Sequence, residues 1–287
     1  MSGLKEIRNR ISSVSSTMQI TNAMKMVSAS KLKKAQDSIS ATLPYSNKLS
    51  GLIQNISTSG ESLDSPFFIQ RSIKKILAVA ITSNKGLCGG FNSNVIKEVS
   101  RLIETKYVSK KVEIICIGKK GGDILSKKNN VIDSFNSVYD EFSYKKVKKI
   151  AELFMEKFSD ESYDEIILVY NHSKNAATQH LTIEPYLPIE EDAEESSAQA
   201  SRDYIFEPSQ SEILNELIPK ALVVQLFKAI SDSIAGEHGA RMTAMYKATE
   251  NASELRDELK LTYNKARQTA ITNEILEIVG GAEALNS

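Results

Sequence analysis

Tryptophan is absent from this chain, cysteine occurs twice and histidine three times in 287 residues. Each scarcity closes off some chemistry. Cys88 and Cys116 are too few for a disulfide scaffold at this length, and there is no C-x-x-C pair. Cys116 stands inside the apolar run Val112-Glu113-Ile114-Ile115-Cys116-Ile117, the setting of a small buried hydrophobe. His172, His180 and His238 have no carboxylate or second histidine at ligand spacing, so neither a zinc site nor any other metal is expected. No stretch approaches the run of about 18 apolar residues that a membrane span requires. The opening residues Lys5, Glu6 and Arg8 put charge where a signal peptide needs its apolar core. The expected location is the cytoplasm, or that face of a membrane as a peripheral component.

What is present is the composition of a soluble globular protein, 41 % hydrophobic and 25 % charged. The 36 basic and 36 acidic residues cancel, but they are unevenly placed. Ahead of Asp37 stand Lys5, Arg8, Arg10, Lys25, Lys31, Lys33 and Lys34 against Glu6 alone. No aromatics interleave them, so a solvated helix face or an acidic protein partner fits better than nucleic acid. The acidic stretch Glu190-Glu191-Asp192-Ala193-Glu194-Glu195 opens a segment rich in Glu, Ser and Ala, expected to be a flexible linker over 190–208.

Three zones follow from periodicity. In residues 1–58, Leu4, Ile7, Ile11, Val14 and Met18 alternate spacings of three and four, the seam of a coiled coil. The stripe then reads as shifting through Ala23, Met24, Val27, Leu32, Ala35 and Ile39, with a kink or break near Pro44. In residues 209–287, Pro219 is read as a kink or a new first turn, and Gly236 and Gly239 are the last breakers before Gly280. The uninterrupted stretch from 240 to 279 would be about 60 Å of helix, against about 30 Å for a small domain. Its seam reads as Ala252, Leu255, Leu259, Thr262, Ala266, Thr269, Asn273 and Leu276, many of them small enough for a close helix pair. The two end zones are expected to pair antiparallel. The C-terminal zone is longer, so its last turns, with Ile271, Ile275, Leu276, Ile278 and Val279, are expected to be unpaired and to need an enclosing partner.

The middle zone, 74–189, alternates short apolar runs with helix patterns. Strands are expected at 76–81, 112–117 and 165–170, helices near 94–106, after Gly118 and near 144–158, and an edge strand at 181–189 that contains Pro185 and Pro188. That order predicts a mostly parallel α/β sheet.

Two strand-to-helix loops sit where a phosphate site would be. Neither Ser83-Asn84-Lys85-Gly86-Leu87-Cys88-Gly89-Gly90 nor Gly118-Lys119-Lys120-Gly121-Gly122-Asp123 matches G-x-G-x-x-G or G-x-x-x-x-G-K-[ST]. The glycines are read as serving tight turns. No carboxylate stands in an apolar context suited to acid–base work, and neither Ser83 nor Cys88 has the neighbours of an activated nucleophile. Neither a catalytic residue nor a cofactor is expected.

Four separated stretches resemble one family. They are Ile7-Arg8-Asn9-Arg10-Ile11 through Thr21-Asn22-Ala23-Met24-Lys25-Met26-Val27-Ser28; Ser83-Asn84-Lys85-Gly86-Leu87-Cys88-Gly89-Gly90-Phe91-Asn92; Glu237-His238-Gly239-Ala240-Arg241-Met242-Thr243-Ala244-Met245; and Tyr263-Asn264-Lys265-Ala266-Arg267-Gln268 with Ile271-Thr272-Asn273-Glu274. In this order they resemble the gamma subunits of F-type ATP synthases, bacterial type. The resemblance implies a long antiparallel coiled coil of N- and C-terminal helices plus a Rossmann-like, mostly parallel α/β domain. It implies a central-stalk rotor, one copy per complex, coupling ion-driven rotation of the membrane c-ring to the catalytic sites of the beta subunits. Its partners would be the alpha and beta subunits, the epsilon subunit and the c-ring, at the cytoplasmic face of the cell inner membrane. Carried over position by position, Met24, Arg241, Arg267, Gln268, Thr272 and Glu274 would face the beta subunit, and Tyr204 and Glu207 the c-ring or epsilon. The chain lacks the cysteine-bearing insertion of chloroplast-type relatives. The competing readings are a nucleotide- or phosphate-binding α/β enzyme with helical arms, which needs the 85–90 loop to bind phosphate, and an unrelated helical scaffold.

Overall fold

The computed structural model describes residues 2–57, 65–175, 178–189 and 210–286. It divides into two compact units, Ala29–Ala240 on the one hand and Met1–Ser28 with Arg241–Ser287 on the other. The acidic stretch from Glu190, together with Tyr204 and Glu207, lies outside the described residues.

The unit Ala29–Ala240 is built on one sheet. Its strands are β1 (Lys75–Ile81), β2 (Lys111–Ile117), β3 (Val131–Ser134), β4 (Glu165–Ser173) and β5 (Gln179–Leu187), in the order β3-β2-β1-β4-β5. The first four are parallel and β5 runs antiparallel to β4 at the edge. Helices α2 (Phe91–Thr105), α3 (Lys119–Leu125) and α4 (Tyr144–Ser159) connect the parallel strands. β1 explains its own apolar run. Leu77, Val79 and Ile81 face a core shared with Val147, Phe154 and Phe158 of α4, while Ile76, Ala78 and Ala80 face Val95, Val99 and Leu102 of α2. Both faces of the strand are dry, so no polar residue alternates with the apolar ones. Pro185 falls in β5 opposite Ile167, on the edge strand, where a missing N–H leaves no inner ladder incomplete.

β3 has no counterpart in the sequence reading. Val131-Ile132-Asp133-Ser134 holds two apolar residues, neither of them fully buried, and owes its strand to pairing with β2 at the sheet's other edge.

The two terminal zones are α1 (Ser2–Ser57) and α5 (Gln210–Asn286). Both helices run unbroken. Pro44 lies inside α1 on an exposed face, and Pro219, Gly236 and Gly239 lie inside α5. Gly236 is a packing residue instead. A Cβ there would meet Gln179 Cγ at 3.2 Å and Asn171 O and Phe91 Cε2 at 3.4 Å, so its bare backbone is what lets α5 lie this close to the sheet. Earlier in α5, Leu214, Ile218, Leu222, Leu226 and Ile230 join the α4 core. The buried Tyr186 hydroxyl donates to Leu222 O at 3.0 Å.

Along α1 the heptad spacing does not shift. Half-buried or buried residues continue through Met18, Thr21, Lys25, Ser28, Leu32, Ala35, Ile39, Thr42, Ser46 and Leu49. Ala23 and Val27, expected in the stripe, are exposed, and polar residues take the seam positions instead.

α5 meets the β4–β5 edge through paired polar groups. Tyr170 Oη donates to Glu184 Oε2 at 2.6 Å, and Gln225 Nε2 to Glu184 Oε1 at 2.7 Å. His172 Nδ1 lies 2.8 Å from Oδ2 of Asp232, a carboxylate buried on α5. Burial raises the Asp232 carboxyl above its ordinary value, against the opposing pull of His172. The folded chain thus binds this proton more tightly than the unfolded chain does. Its contribution to stability is greatest below the ordinary carboxylate range and is lost as pH rises through the raised value. Asp232→Asn is expected to flatten that limb, read as the difference in urea midpoint from the unsubstituted chain between about pH 4 and pH 7.

Candidate functional site

The strand-to-helix loops of the α/β unit are the first place to look for chemistry. Their polar groups are turned on one another. Ser83 N–H donates to Asn92 Oδ1 at 2.9 Å, Asn92 Nδ2 donates to Ser83 Oγ at 2.8 Å and reaches Cys88 Sγ at 3.2 Å, and Ser83 Oγ donates to Lys85 O at 2.6 Å. The opening amides of α3 are occupied in the same way. Lys119 N–H goes to Asn84 Oδ1 at 3.0 Å, Lys120 N–H to Ser83 O at 3.0 Å and Gly121 N–H to Thr82 Oγ1 at 2.9 Å. These are the donors a phosphate would need, and they hold the two loops to each other. Gly118 is required at this crossing. Its φ is +106°, and a Cβ would lie 2.1 Å from Thr82 O. Cys116 lies beneath, its thiol pushed up to about 12 by burial. Among the described residues no group of three or more His, Cys, Asp or Glu is placed to hold a metal.

The unit of Met1–Ser28 and Arg241–Ser287 is a helix pair. Arg8 Nη2 donates to Tyr263 Oη at 2.7 Å, and Arg256 Nη1 lies 3.6 Å from Met18 Sδ. The Thr21 and Thr249 hydroxyls are 2.8 Å apart, and Lys25 Nζ lies 5.8 Å from the Tyr246 ring centre. Partners on α5 fall in number as those on α1 rise, so the pair is antiparallel. The α5 seam is Met245, Thr249, Ala252, Arg256, Leu259, Tyr263 and Ala266, the half-buried or buried side chains in this stretch at alternating spacings of four and three. Ala252, Leu259 and Ala266 were legible as seam residues. Leu255 and Thr262 were not correctly placed; both are exposed, and Arg256 and Tyr263 stand in the seam one residue on.

Beyond Ala266 the pairing stops. Every residue from Arg267 to Ala282 is exposed, about 24 Å of helix. Ile271, Ile275, Leu276, Ile278 and Val279 are between 49 % and 67 % exposed, which makes one end of α5 an apolar surface with no cover among the described residues.

The predicted site residues fall as follows. Arg267, Gln268, Thr272 and Glu274 all lie on this exposed end, with Thr272 Oγ1 donating to Gln268 O at 3.0 Å. Met24 is half-buried on α1, and Arg241 is buried at the start of the α5 stretch of the same unit. Arg8, Arg10, Lys31, Lys33 and Lys34 are exposed, so the basic character of α1 is a surface property. Thr21, Arg256, Tyr263 and the buried Asp232 were not singled out by sequence. Only unbroken heptad counting past Met18 would have pointed to Thr21.

The sequence model of the ATP synthase family matches residues 3–285. The chain is 60 % identical to the ATP synthase gamma chain of Flavobacterium johnsoniae over 287 residues, all of both chains. It is 58 % identical to that of Christiangramia forsetii, again over all of both. The chain belongs to the ATP synthase gamma-chain family. Gamma chains from more distant bacteria keep the full-length match, at 41 % identity over 99 % of both chains for Geotalea daltonii. The fold is likewise shared with solved structures. A chain of the Euglena gracilis mitochondrial ATP synthase in its OSCP/F1/c-ring assembly matches with a TM-score of 0.71 and 24 % identity, covering 99 % of this chain and 95 % of that one. One of the Tetrahymena thermophila central stalk and c-ring matches with a TM-score of 0.61 and 24 % identity, covering 80 % and 99 %. Among the described residues no helix is long and apolar enough to cross a membrane.

The loop crossing offers a test by substitution. Gly118→Ala puts a methyl group against the Thr82 carbonyl in a left-handed conformation and is expected to cost upwards of about 2 kcal/mol. The measurement is the shift of the urea unfolding midpoint at an unchanged slope.

Proposed function

We propose that this gamma chain is the central-stalk rotor subunit of an F-type ATP synthase, coupling ion-driven rotation of the membrane c-ring to conformational change at the beta-subunit catalytic sites. The observation that carries the reading is the wholly exposed, apolar end of α5 from Arg267 to Ala282, in a chain 60 % identical over its full length to a gamma chain. A surface of that kind is stable only when something encloses it. In this reading the enclosure is the hexamer of alpha and beta subunits, in which Met24, Arg241, Arg267, Gln268, Thr272 and Glu274 meet beta. An asymmetric shaft favours a different conformation of each beta subunit as it turns, by differential contact.

The division of labour follows. Residues 1–58 and 209–287 supply the shaft and 74–189 the α/β domain. The 190–208 segment, with Tyr204 and Glu207, meets the c-ring or epsilon at the cytoplasmic face of the inner membrane. Catalytic residues belong to beta, and this chain contributes no chemistry of its own. At the second loop the opening amides of α3 support that assignment over a phosphate-binding enzyme, because binding there would first have to break the bonds joining the two loops.

Co-purification of the tagged chain from its native membranes in mild detergent tests the reading. Alpha and beta subunits in about threefold excess, with ATPase activity, are expected; a monomer that binds or hydrolyses nucleotide by itself would overturn it. Within the assembled complex, Arg267→Ala with Gln268→Ala is expected to lower ATP synthesis in inverted membrane vesicles by about tenfold without loss of subunits. An unchanged rate would remove both residues from the coupling contact.

A further inference from the structure

A seam of apolar residues repeats itself. Two helices packed only by such a seam can slip by one heptad, about 10 Å, and find equivalent contacts. In the unit of Met1–Ser28 and Arg241–Ser287 the seam is not uniform. Its buried residues include Thr21 and Ser28 beside Met245 and Ala252, and its cross-helix polar contacts join particular residues. We propose that Arg8–Tyr263, Met18–Arg256 and Thr21–Thr249 form a register lock, holding α1 and α5 in one axial alignment; its purpose, though not its geometry, rests on the rotor reading, since a shaft that slips along its seam cannot pass on an angle faithfully.

Each contact depends on alignment. A slip of one heptad one way brings Arg8 opposite Arg256, cation against cation, and Thr21 opposite Met242. A slip the other way brings Thr21 opposite Arg256 and Arg8 opposite Ala270, leaving Arg8 neither hydroxyl nor ring. The Arg256 guanidinium is also held from its own helix, by Asp257 Oδ1 at 2.9 Å and Ser253 Oγ at 3.3 Å, so it does not swing freely to follow a displaced partner. The threonines add discrimination more than strength. Thr21 Oγ1 also lies 3.1 Å from Met18 O and Thr249 Oγ1 2.8 Å from Met245 O, so both hydroxyls keep an acceptor on their own helix if the pair parts. That is the behaviour of a device that selects one arrangement among near-equals rather than one that merely tightens it.

The test is disulfide trapping in the full-length chain, isolated and within the complex, with linked peptides identified by mass. Ile11→Cys with Leu259→Cys reports the observed register. Ile11→Cys with Ala252→Cys, or with Ala266→Cys, reports a slip of one heptad either way. In the unsubstituted seam only the first pair is expected to link. In a variant carrying Arg8→Leu, Thr21→Val, Thr249→Val and Arg256→Leu, the slipped pairs are expected to rise at least about tenfold. The nearly isosteric double variant Thr21→Val with Thr249→Val is expected to show a smaller rise, and Thr21→Ser with Thr249→Ser none. Slipped links at the unsubstituted level in both apolar variants would overturn the lock. Co-purification with alpha and beta is scored separately: its failure counts against the rotor reading, while the disulfide pattern of the isolated chain still decides the register.

Discussion

A helix that leaves its globular domain must put its apolar stripe somewhere. Inside a domain a sheet or a neighbouring helix takes it; outside, only a second helix or another molecule can. Much of this chain's architecture answers that constraint. From Met245 to Ala266 the stripe of α5 is taken by α1. From Arg267 to Ala282 nothing among the described residues takes it. The boundary between those regimes falls at Ala266, the last half-buried residue of the α5 seam.

The α/β unit answers the same constraint differently. Its sheet is dry on both faces, with α2 against one and α4 against the other, and the early part of α5 completes the α4 side. The same unbroken helix therefore meets two kinds of surface. Over Leu214 to Ile230 it presents large aliphatic residues to a sheet core. Over Met245 to Ala266 it presents a narrower, mixed seam to one helix. At the sheet's end, where a nucleotide site would sit, the opening amides of α3 bond to Thr82, Ser83 and Asn84 of the preceding Gly-rich loop.

Much of this was legible in the residues. The long end helices and their pairing, the apolar strands, the α4 helix, the proline-bearing edge strand and the unpaired end of α5 follow from periodicity and length. What escaped did so for identifiable reasons. β3 has too little apolar content to signal a strand and forms because β2 offers an edge. Pro44, Pro219, Gly236 and Gly239 read as breakers because propensity is local, whereas the helices are held by tertiary packing that outweighs it. The seam was misplaced at alternate turns because Leu255 looks like a better knob than Arg256. In α5 both arrangements alternate threes and fours, so spacing does not decide between them; in α1 unbroken spacing from Met18 points to the polar Thr21 and Lys25 rather than to Ala23 and Val27. The candidate contact residues came from family resemblance rather than from spacing, since an exposed Arg267 looks the same in any solvated helix.

Gly236 carries a consequence for how such chains diverge. Three separate elements close on its missing side chain: Phe91 from α2, Asn171 from β4 and Gln179 from β5. Two of those contacts are side chains and one is a backbone carbonyl that cannot be pared down. A relative with alanine at this position must therefore have yielded at Phe91 or Gln179, or moved its helix outward. The three positions should change in concert across lineages, a historical signature of a distance fixed by the absence of a single carbon atom.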